Sequence, residues 1–459
     1  MTLLLLLEQF GMEIEFEEMD VATVVNGLQE VQNAVISKIP LYVHWNTQMS
    51  DYCDHLLKDR SAMTYLANQN FDMILADSLE RCSYVLRDYL NISIIYYQNY
   101  GFDGDSGSFY PYMPSWMCNP DFGICESDQM TFSQRLKTAV FVFIHDIYIR
   151  PHINSLYDNL RQKHNIGTDG RTIDGVKRGI TIANIDFNLD FPRPIMPHVK
   201  PISYMFVKQP SPLPEFYNNL LERSSDHGVI LLSFGSVYLS IGEEKSNIFA
   251  RVFARLPQTV IWKFSGEPPK DLGENTHLVD WFPQADLLAH PKTRLFITHC
   301  GQSSTYEAAY NAVPVVAIPL FFDQPYNAAK LVLKNRVGVM LDFSNLTEQN
   351  LEMSIEEVLS NKEYKLNANS LQQKLSHNLV HPKDEFLYWV NYTLTHKTVE
   401  HLISNPAHKL SWYQYLLFDV VGLVLVVLFV SLFFIYKLAS TVLHYFCKYT
   451  KRHAKDKRD

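Results

Sequence analysis

The segment Phe296-Ile297-Thr298-His299-Cys300-Gly301-Gln302-Ser303-Ser304-Thr305-Tyr306-Glu307 passes from apolar residues into small polar ones within five positions. Leu295 to Thr298 reads as a buried strand, and Gly301 lets backbone approach a ligand closely. A helix then opens at Ser303, with its unpaired amides and positive dipole end facing outward. A strand, a small-residue turn and a helix N-terminus in that order make a phosphate site. Glu307 lies one helical turn further on, where a carboxylate can accept two hydrogen bonds from vicinal hydroxyls.

Two neighbouring segments extend the polar set. In Trp281-Phe282-Pro283-Gln284, Trp281 offers a flat face for a base and Gln284 a donor and acceptor for an amide-like base edge. In Pro319 to Asn327, Asp323 and Gln324 follow another strand and can read sugar hydroxyls. Around them, apolar runs alternate with helical patterns. Val229–Phe234, Thr259–Phe264, Leu295–Thr298, Val313–Ile318 and Val337–Leu341 read as strands. Glu243–Arg255, Ser303–Asn311, Gln324–Asn335 and Thr347–Ser360 read as helices. This alternation predicts an α/β domain with a parallel sheet covered on both faces, and ligands at the strands' carboxyl ends, near Asp77, Ser236, His299 and Asp323.

Upstream, seven prolines between Phe191 and Pro214 exclude a helix interior or central strand and predict an interdomain linker. Before it, Phe71–Ala76 and Ile92–Tyr97 read as strands and Gln48–Ala67 as largely helical, so a second α/β domain is expected. The 459 residues suffice for two cores, and 47% apolar with 19% charged residues excludes disorder and coiled coil. With 40 Lys plus Arg against 49 Asp plus Glu, the net charge of −9 offers no field for nucleic acid, which is not expected as a partner. The six cysteines carry no metal-site spacing; Cys118 and Cys125 are the nearest pair, and a bridge there or buried free thiols both stay open.

The C-terminus changes character. Val420 to Tyr436 has no charged residue, Trp412, Tyr413 and Tyr415 border it, and Lys437, Lys448, Lys451, Arg452, Lys455, Lys457 and Arg458 follow. This predicts one membrane-spanning helix with a cytosolic basic tail and a lumenal or outer body. Acceptor triplets at Asn91, Asn345 and Asn391 agree with that side for the body. Lys455 and Lys457 occupy the places of a dilysine retrieval signal. The N-terminal Leu3–Leu7 is too short and too acidic in its surroundings for an export signal.

These residues together resemble the donor-binding signature of the UDP-glycosyltransferase family and, with the membrane tail, its animal UDP-glucuronosyltransferase branch. Ser127-Asp128-Gln129-Met130-Thr131-Phe132, Phe191-Pro192-Arg193-Pro194 and Phe234-Gly235-Ser236 are similar to further landmarks, so the likeness runs over nearly the whole chain. The resemblance implies a GT-B fold, two Rossmann-like domains facing a cleft, plus the C-terminal transmembrane helix. The expected divisions are an acceptor domain at 1–190, incomplete at its start, a linker at 191–214, a UDP-sugar domain at 215–411, the membrane helix at 412–437 and the tail at 438–459. It implies inverting, metal-independent transfer with no cofactor, the UDP-sugar being co-substrate. Trp281 and Gln284 match the uracil positions, Ser236, His299 and Gly301 the diphosphate positions, Glu307 the ribose position, and Asp323 and Gln324 the sugar positions. Cys300 stands where Gly is usual and Ser303 where many vertebrate members have Asn.

For catalysis the resemblance implies a His after the first strand as base and an Asp on a later strand to orient it. Ile74-Leu75-Ala76-Asp77 matches the Asp motif. The first imidazoles, His44 and His55, do not follow an opening strand, so the chain is expected to begin inside the acceptor domain. The expected activity is transfer from UDP-glucuronate or UDP-glucose to small lipophilic acceptors in detoxification-type conjugation, at the endoplasmic reticulum membrane as a single-pass type I protein. The alternative is a donor-binding, catalytically impaired membrane protein acting as a partner subunit. Homo- or hetero-oligomerisation is left open. All the donor positions follow the linker, so the second domain by itself is expected to bind UDP.

Overall fold

The alternation of apolar runs and helices produces two parallel sheets. The computed structural model describes residues 35–77, 80–100, 127–167, 179–206, 210–224, 226–235, 241–397, 399–402, 410–415 and 417–455. The first sheet holds β1 (Met73–Asp77), β2 (Ser93–Gln98), β3 (Ile180–Asn184) and β4 (Val199–Ile202) in the order β1-β2-β3-β4, every pair parallel. Helices Val35–Lys58, Cys82–Leu90 and Arg150–Lys163 bury one face of it around Leu56, Val85, Ile94, Ile153 and Tyr157. A disulfide, Cys53–Cys82, ties the first two of these helices together, a pairing the cysteine spacing did not single out. Cys118 and Cys125 lie outside the described residues.

β4 corrects the reading of the proline-rich stretch as linker throughout. Val199–Ile202 pairs with β3 although it contains Pro201. A missing amide is tolerated there because β4 is the last strand of the sheet and needs donors on one side only.

The second sheet holds β5 (Val229–Ser233), β6 (Thr259–Lys263), β7 (Thr276–Val279), β8 (Thr293–Thr298), β9 (Val315–Ala317) and β10 (Gly338–Met340). Its order, β10-β9-β8-β5-β6-β7, runs outward from β5 in one direction and returns to β8 to run in the other. β5, β8 and β9 are the most deeply buried, as continuous apolar runs in a covered parallel sheet must be. β7, half-exposed and four residues long at the edge, has too little apolar pattern to be read from sequence. The expected helix at Gln324–Asn335 is broken: an α-helical part, Gln324–Ala329, passes into a π-helical turn at Lys330–Lys334.

The helix Pro382–His396 follows the second sheet in sequence and packs on the first. Phe386, Trp389, Val390 and Tyr392 cover the other face of β2 to β4 with Ile95, Ile180, Ile182 and Ile202, and the Lys200 ammonium sits 3.9 Å from the Trp389 ring centroid. In the separate C-terminal unit, the helix Phe418–Lys455 carries an apolar, fully exposed stretch at Phe418–Phe446, 29 residues long. At 1.5 Å per residue that is about 43 Å, more than the roughly 30 Å of a bilayer's hydrocarbon core. The apolar stretch therefore extends beyond the expected end at Lys437. Residues 456–459, with the end of the dilysine-like pattern, are outside the described set.

Candidate active site

β5 and β8 lie side by side where the strand order reverses, the point at which parallel α/β sheets open a crevice at their carboxyl ends. His299 comes directly after β8 and is buried. Its imidazole lies against two glycines: a Cβ on Gly235 would stand 2.6 Å from His299 Nε2, and one on Gly301 2.7 Å. Glycine at both places is what admits the ring, and Gly235 also has φ +86°. Burial pushes the His299 imidazole down to about 4 against the favourable effect of the Ser233 backbone carbonyl, an acceptor for the ring N–H, and nearby Lys263 lowers it further. The ring is therefore neutral near pH 7 and contributes hydrogen bonding, not charge. Ser236, placed with it from sequence, lies outside the described residues.

Cys300 is buried with φ +63°. The helix after it spans Gln302–Tyr310, one residue earlier than the sequence indicated, with Gly301 as N-cap and no side chain closing that end. Its first amides are thus left for a ligand. Ser303 is exposed, whereas Ser304 is buried.

Gln284 opens a short helix, Gln284–Leu288, that reaches across to the longer one. Its side-chain amide donates to Ser304 Oγ at 3.0 Å and to Glu307 Oε2 at 2.6 Å. The residues assigned to base and ribose are therefore bonded to each other, and the carbonyl oxygen of Gln284 is the part that can accept from a base. Trp281 is 68% exposed, so its face is accessible, and the Tyr217 hydroxyl holds its loop through the Trp281 carbonyl at 2.7 Å.

Asp323 stands at the N-cap position of the helix Gln324–Ala329 without a side-chain capping bond, and burial pushes its carboxyl up to about 6 although Asn327 Nδ2 donates to it at 2.6 Å. Gln324 is buried, and its Oε1 accepts from the Leu320 and Phe321 amides at 2.9 and 3.1 Å, leaving its NH2 as the end that can meet a sugar. Asp77 ends β1 opposite Tyr97 of β2. His44 and His55 both lie on the helix Val35–Lys58, exposed, and among the described residues neither follows a strand.

Two residues that sequence reasoning passed over belong to this site. Lys263, at the end of β6, stacks its ammonium 3.8 Å from the Trp281 ring centroid and donates to the Gly235 carbonyl at 2.9 Å, placing a cation beside the candidate phosphate turn. The end-of-strand rule that drew attention to His299 applies equally to Lys263 and could have found it. Tyr204, from the proline-rich stretch, is buried and lays its ring on Tyr306 of the helix that carries Ser303 and Glu307, with centroids 5.4 Å apart. Its sequence surroundings carry no comparable signal.

Residues 6–453 match the family described as UDP-glucoronosyl and UDP-glucosyl transferase. The chain belongs to that family. It is 33% identical to human UDP-glucuronosyltransferase 2B10 over 419 residues, 90% of this chain and 78% of that protein. With rat UDP-glucuronosyltransferase 2B1 it shares 32% identity over 97% of this chain and 81% of that one. Among solved structures, the glycosyltransferase of kitacinnamycin matches with a TM-score of 0.53 at 18% identity, covering 75% of this chain and 82% of the other. A UDP-glucose:anthocyanidin 3-O-glucosyltransferase solved in complex with UDP matches at 0.51 and 17%, covering 72% and 76%. The protein is a glycosyltransferase of GT-B fold.

Proposed function

We propose that the chain transfers the sugar of UDP-glucuronate or UDP-glucose to a hydroxyl of small lipophilic acceptors, with inversion and without a metal ion or cofactor. The observation that carries this reading is the convergence of the neutral His299, the uncapped start of Gln302–Tyr310 and the linked Gln284–Ser304–Glu307 group at the reversal point of the second sheet. Uracil stacks on Trp281 and donates its N3–H to the Gln284 carbonyl; the ribose diol donates to Glu307; Asp323 and Gln324 receive the sugar. The acceptor oxygen bonds to the anomeric carbon as the bond to the diphosphate oxygen breaks. The charge that grows on the leaving diphosphate is taken up by the helix amides, with Gly301, Ser303 and Lys263 around them and Ser236 a further candidate from sequence. Asp77, at the end of β1, is the candidate orienter of a base for the acceptor proton, and no imidazole among the described residues is assigned to that base.

Three features support a lumenal body anchored in the endoplasmic reticulum membrane: the apolar helix at Phe418–Phe446, the basic residues after it, and the Cys53–Cys82 disulfide, a bond of oxidising compartments. One observation favours a second reading, a donor-binding protein of low turnover: among the described residues no imidazole stands at the carboxyl end of a first-sheet strand. The test measures UDP binding by calorimetry and acceptor glycosylation with both donors. Glu307→Ala is expected to weaken UDP by about 1.5 to 3 kcal/mol through lost charge-assisted hydrogen bonds. Equal affinity would remove the ribose assignment, and tight UDP binding without turnover would select the second reading.

A further inference from the structure

The helix Phe132–Ile144 carries an apolar stripe on the side turned away from the core. Phe132, Leu136, Val140 and Phe143 recur at steps of four, four and three residues, which puts them on one face. All four are exposed, from 49% at Val140 to 73% at Phe132. The opposite face is the one that packs, since Thr138, Phe141 and His145 are buried. Packing of the helix therefore does not use the stripe, and a helix bordered by water alone carries polar residues in that place. Arg135 and Lys137 are exposed and flank the stripe on either side, and no Asp or Glu occurs from Thr131 to His145. An apolar face between two cations, on a helix without acids, fits a phospholipid surface: the apolar side chains enter the acyl boundary and the cations meet lipid phosphates.

We propose that the helix Phe132–Ile144 is a second membrane contact of this protein, its exposed stripe lying in the interface of the bilayer that the C-terminal helix crosses. The folded body ends at Ile403 and the apolar stretch begins at Phe418. The segment between them extends at most about 50 Å at 3.3 to 3.6 Å per residue. That tether keeps the body at a high effective concentration near lipid, where a small patch needs little affinity of its own. A second copy of the chain is the competing occupant. A two-fold interface brings the same two cations to this face again, with no acid on the helix to pair them. The helix leads into Arg150–Lys163, which packs on the first sheet, so the contact holds that sheet close to the phase in which lipophilic acceptors dissolve. The inference rests on the reading of Phe418–Phe446 as a membrane anchor.

The test uses the full chain in vesicles of phosphatidylcholine and phosphatidylinositol, with the photo-crosslinker p-benzoylphenylalanine replacing one phenylalanine at a time. At Phe143 it is expected to give lipid adducts severalfold above those at Phe216, a comparably exposed residue on the acid-bearing helix Glu215–Arg223. Leu136→Glu, which puts an acid on the stripe, is expected to reduce the Phe143 adducts severalfold. The same probe at Phe429, within the apolar C-terminal stretch, reports the anchor separately. Absence of lipid adducts at Phe429 overturns the anchor reading and the tethered contact with it. With Phe429 adducts present, Phe143 adducts no higher than those at Phe216 overturn the membrane contact, as do adducts that Leu136→Glu leaves unchanged. Cross-links from Phe143 to a second chain, or back into its own chain, in place of lipid overturn it too, since the stripe is then covered by protein.

Discussion

Two adjacent residues of the candidate phosphate turn are explained by opposite requirements. Cys300 adopts φ +63° where the family resemblance leads one to expect Gly, a conformation that costs an L-residue about 1 to 2 kcal/mol. Its side chain is fully buried in the core with Tyr306 and Val315, and that burial offsets the backbone cost. His299 shows the converse, a polar ring made neutral by burial. With the folded value near 4 and the unfolded value near 6.5, the unfolded chain takes up a proton first as pH falls. The stability contributed by the neutral ring is complete above about 6.5 and is lost as pH drops toward 4. Between pH 7 and pH 5 His299 is expected to cost the folded state about 1 to 2 kcal/mol, a loss that His299→Gln does not share. Denaturant midpoints of both proteins at the two pH values measure it, and an equal drop in both would mean that His299 titrates normally.

At the scale of elements, the strands and helices flanking the donor turn were legible because their apolar periodicity is strong. The helix Gln302–Tyr310 differed from expectation by one residue at its start, since a glycine N-cap carries no side-chain signal. β4 was not legible: its proline speaks against a strand, and only its place at the sheet edge makes it harmless. The Cys53–Cys82 bridge could not be read either, because 29 residues separate its halves and only the packing of Val35–Lys58 against Cys82–Leu90 brings them together. Closing a loop of that length restricts the unfolded chain by about 3 to 4 kcal/mol in the chain-entropy account. Cys53→Ser/Cys82→Ser is therefore expected to lower the unfolding midpoint markedly while leaving UDP affinity of the folded protein unchanged. An unaltered midpoint would show that the two helices are held by their apolar contacts alone.

Across the whole molecule, the first and second sheets share a buried polar seam. Lys330 and Asp190 form an ion pair with both side chains fully buried, Lys330 also donates to Gln302 Oε1 at 3.4 Å, and Arg193 donates to the Tyr326 hydroxyl at 2.7 Å. Phe191 and Met130 pack on Tyr326 and Ala329 beside it, which gives two of the landmark stretches a structural task. A fragment starting near Pro214 would leave this seam, and Tyr204 with it, behind; the expectation of independent UDP binding does not fit such a site. Lys330→Met keeps the side-chain volume and removes the ion-pair partner of the buried Asp190, so it should cost about 3 to 5 kcal/mol of stability, and Lys330→Met/Asp190→Asn should recover much of it. Additive losses in that double-mutant cycle, read from unfolding midpoints, would show that the pair is not coupled.

Local order along the chain was enough to determine the family, the parallel α/β character and the long apolar C-terminal helix, and to single out candidate donor residues, because each rests on spacing within one strand, turn or helix. Gly301, Glu307 and Asp323 could be found for that reason. What only the tertiary structure decided is everything that depends on residues far apart meeting: Lys263 beside Trp281, Gln284 on Glu307, Tyr204 on Tyr306, Asp190 on Lys330, and the return of Pro382–His396 to the first sheet. A hydrogen bond or ring stack constrains two positions at once, and neither sequence neighbourhood records its partner until both sheets are folded and packed together.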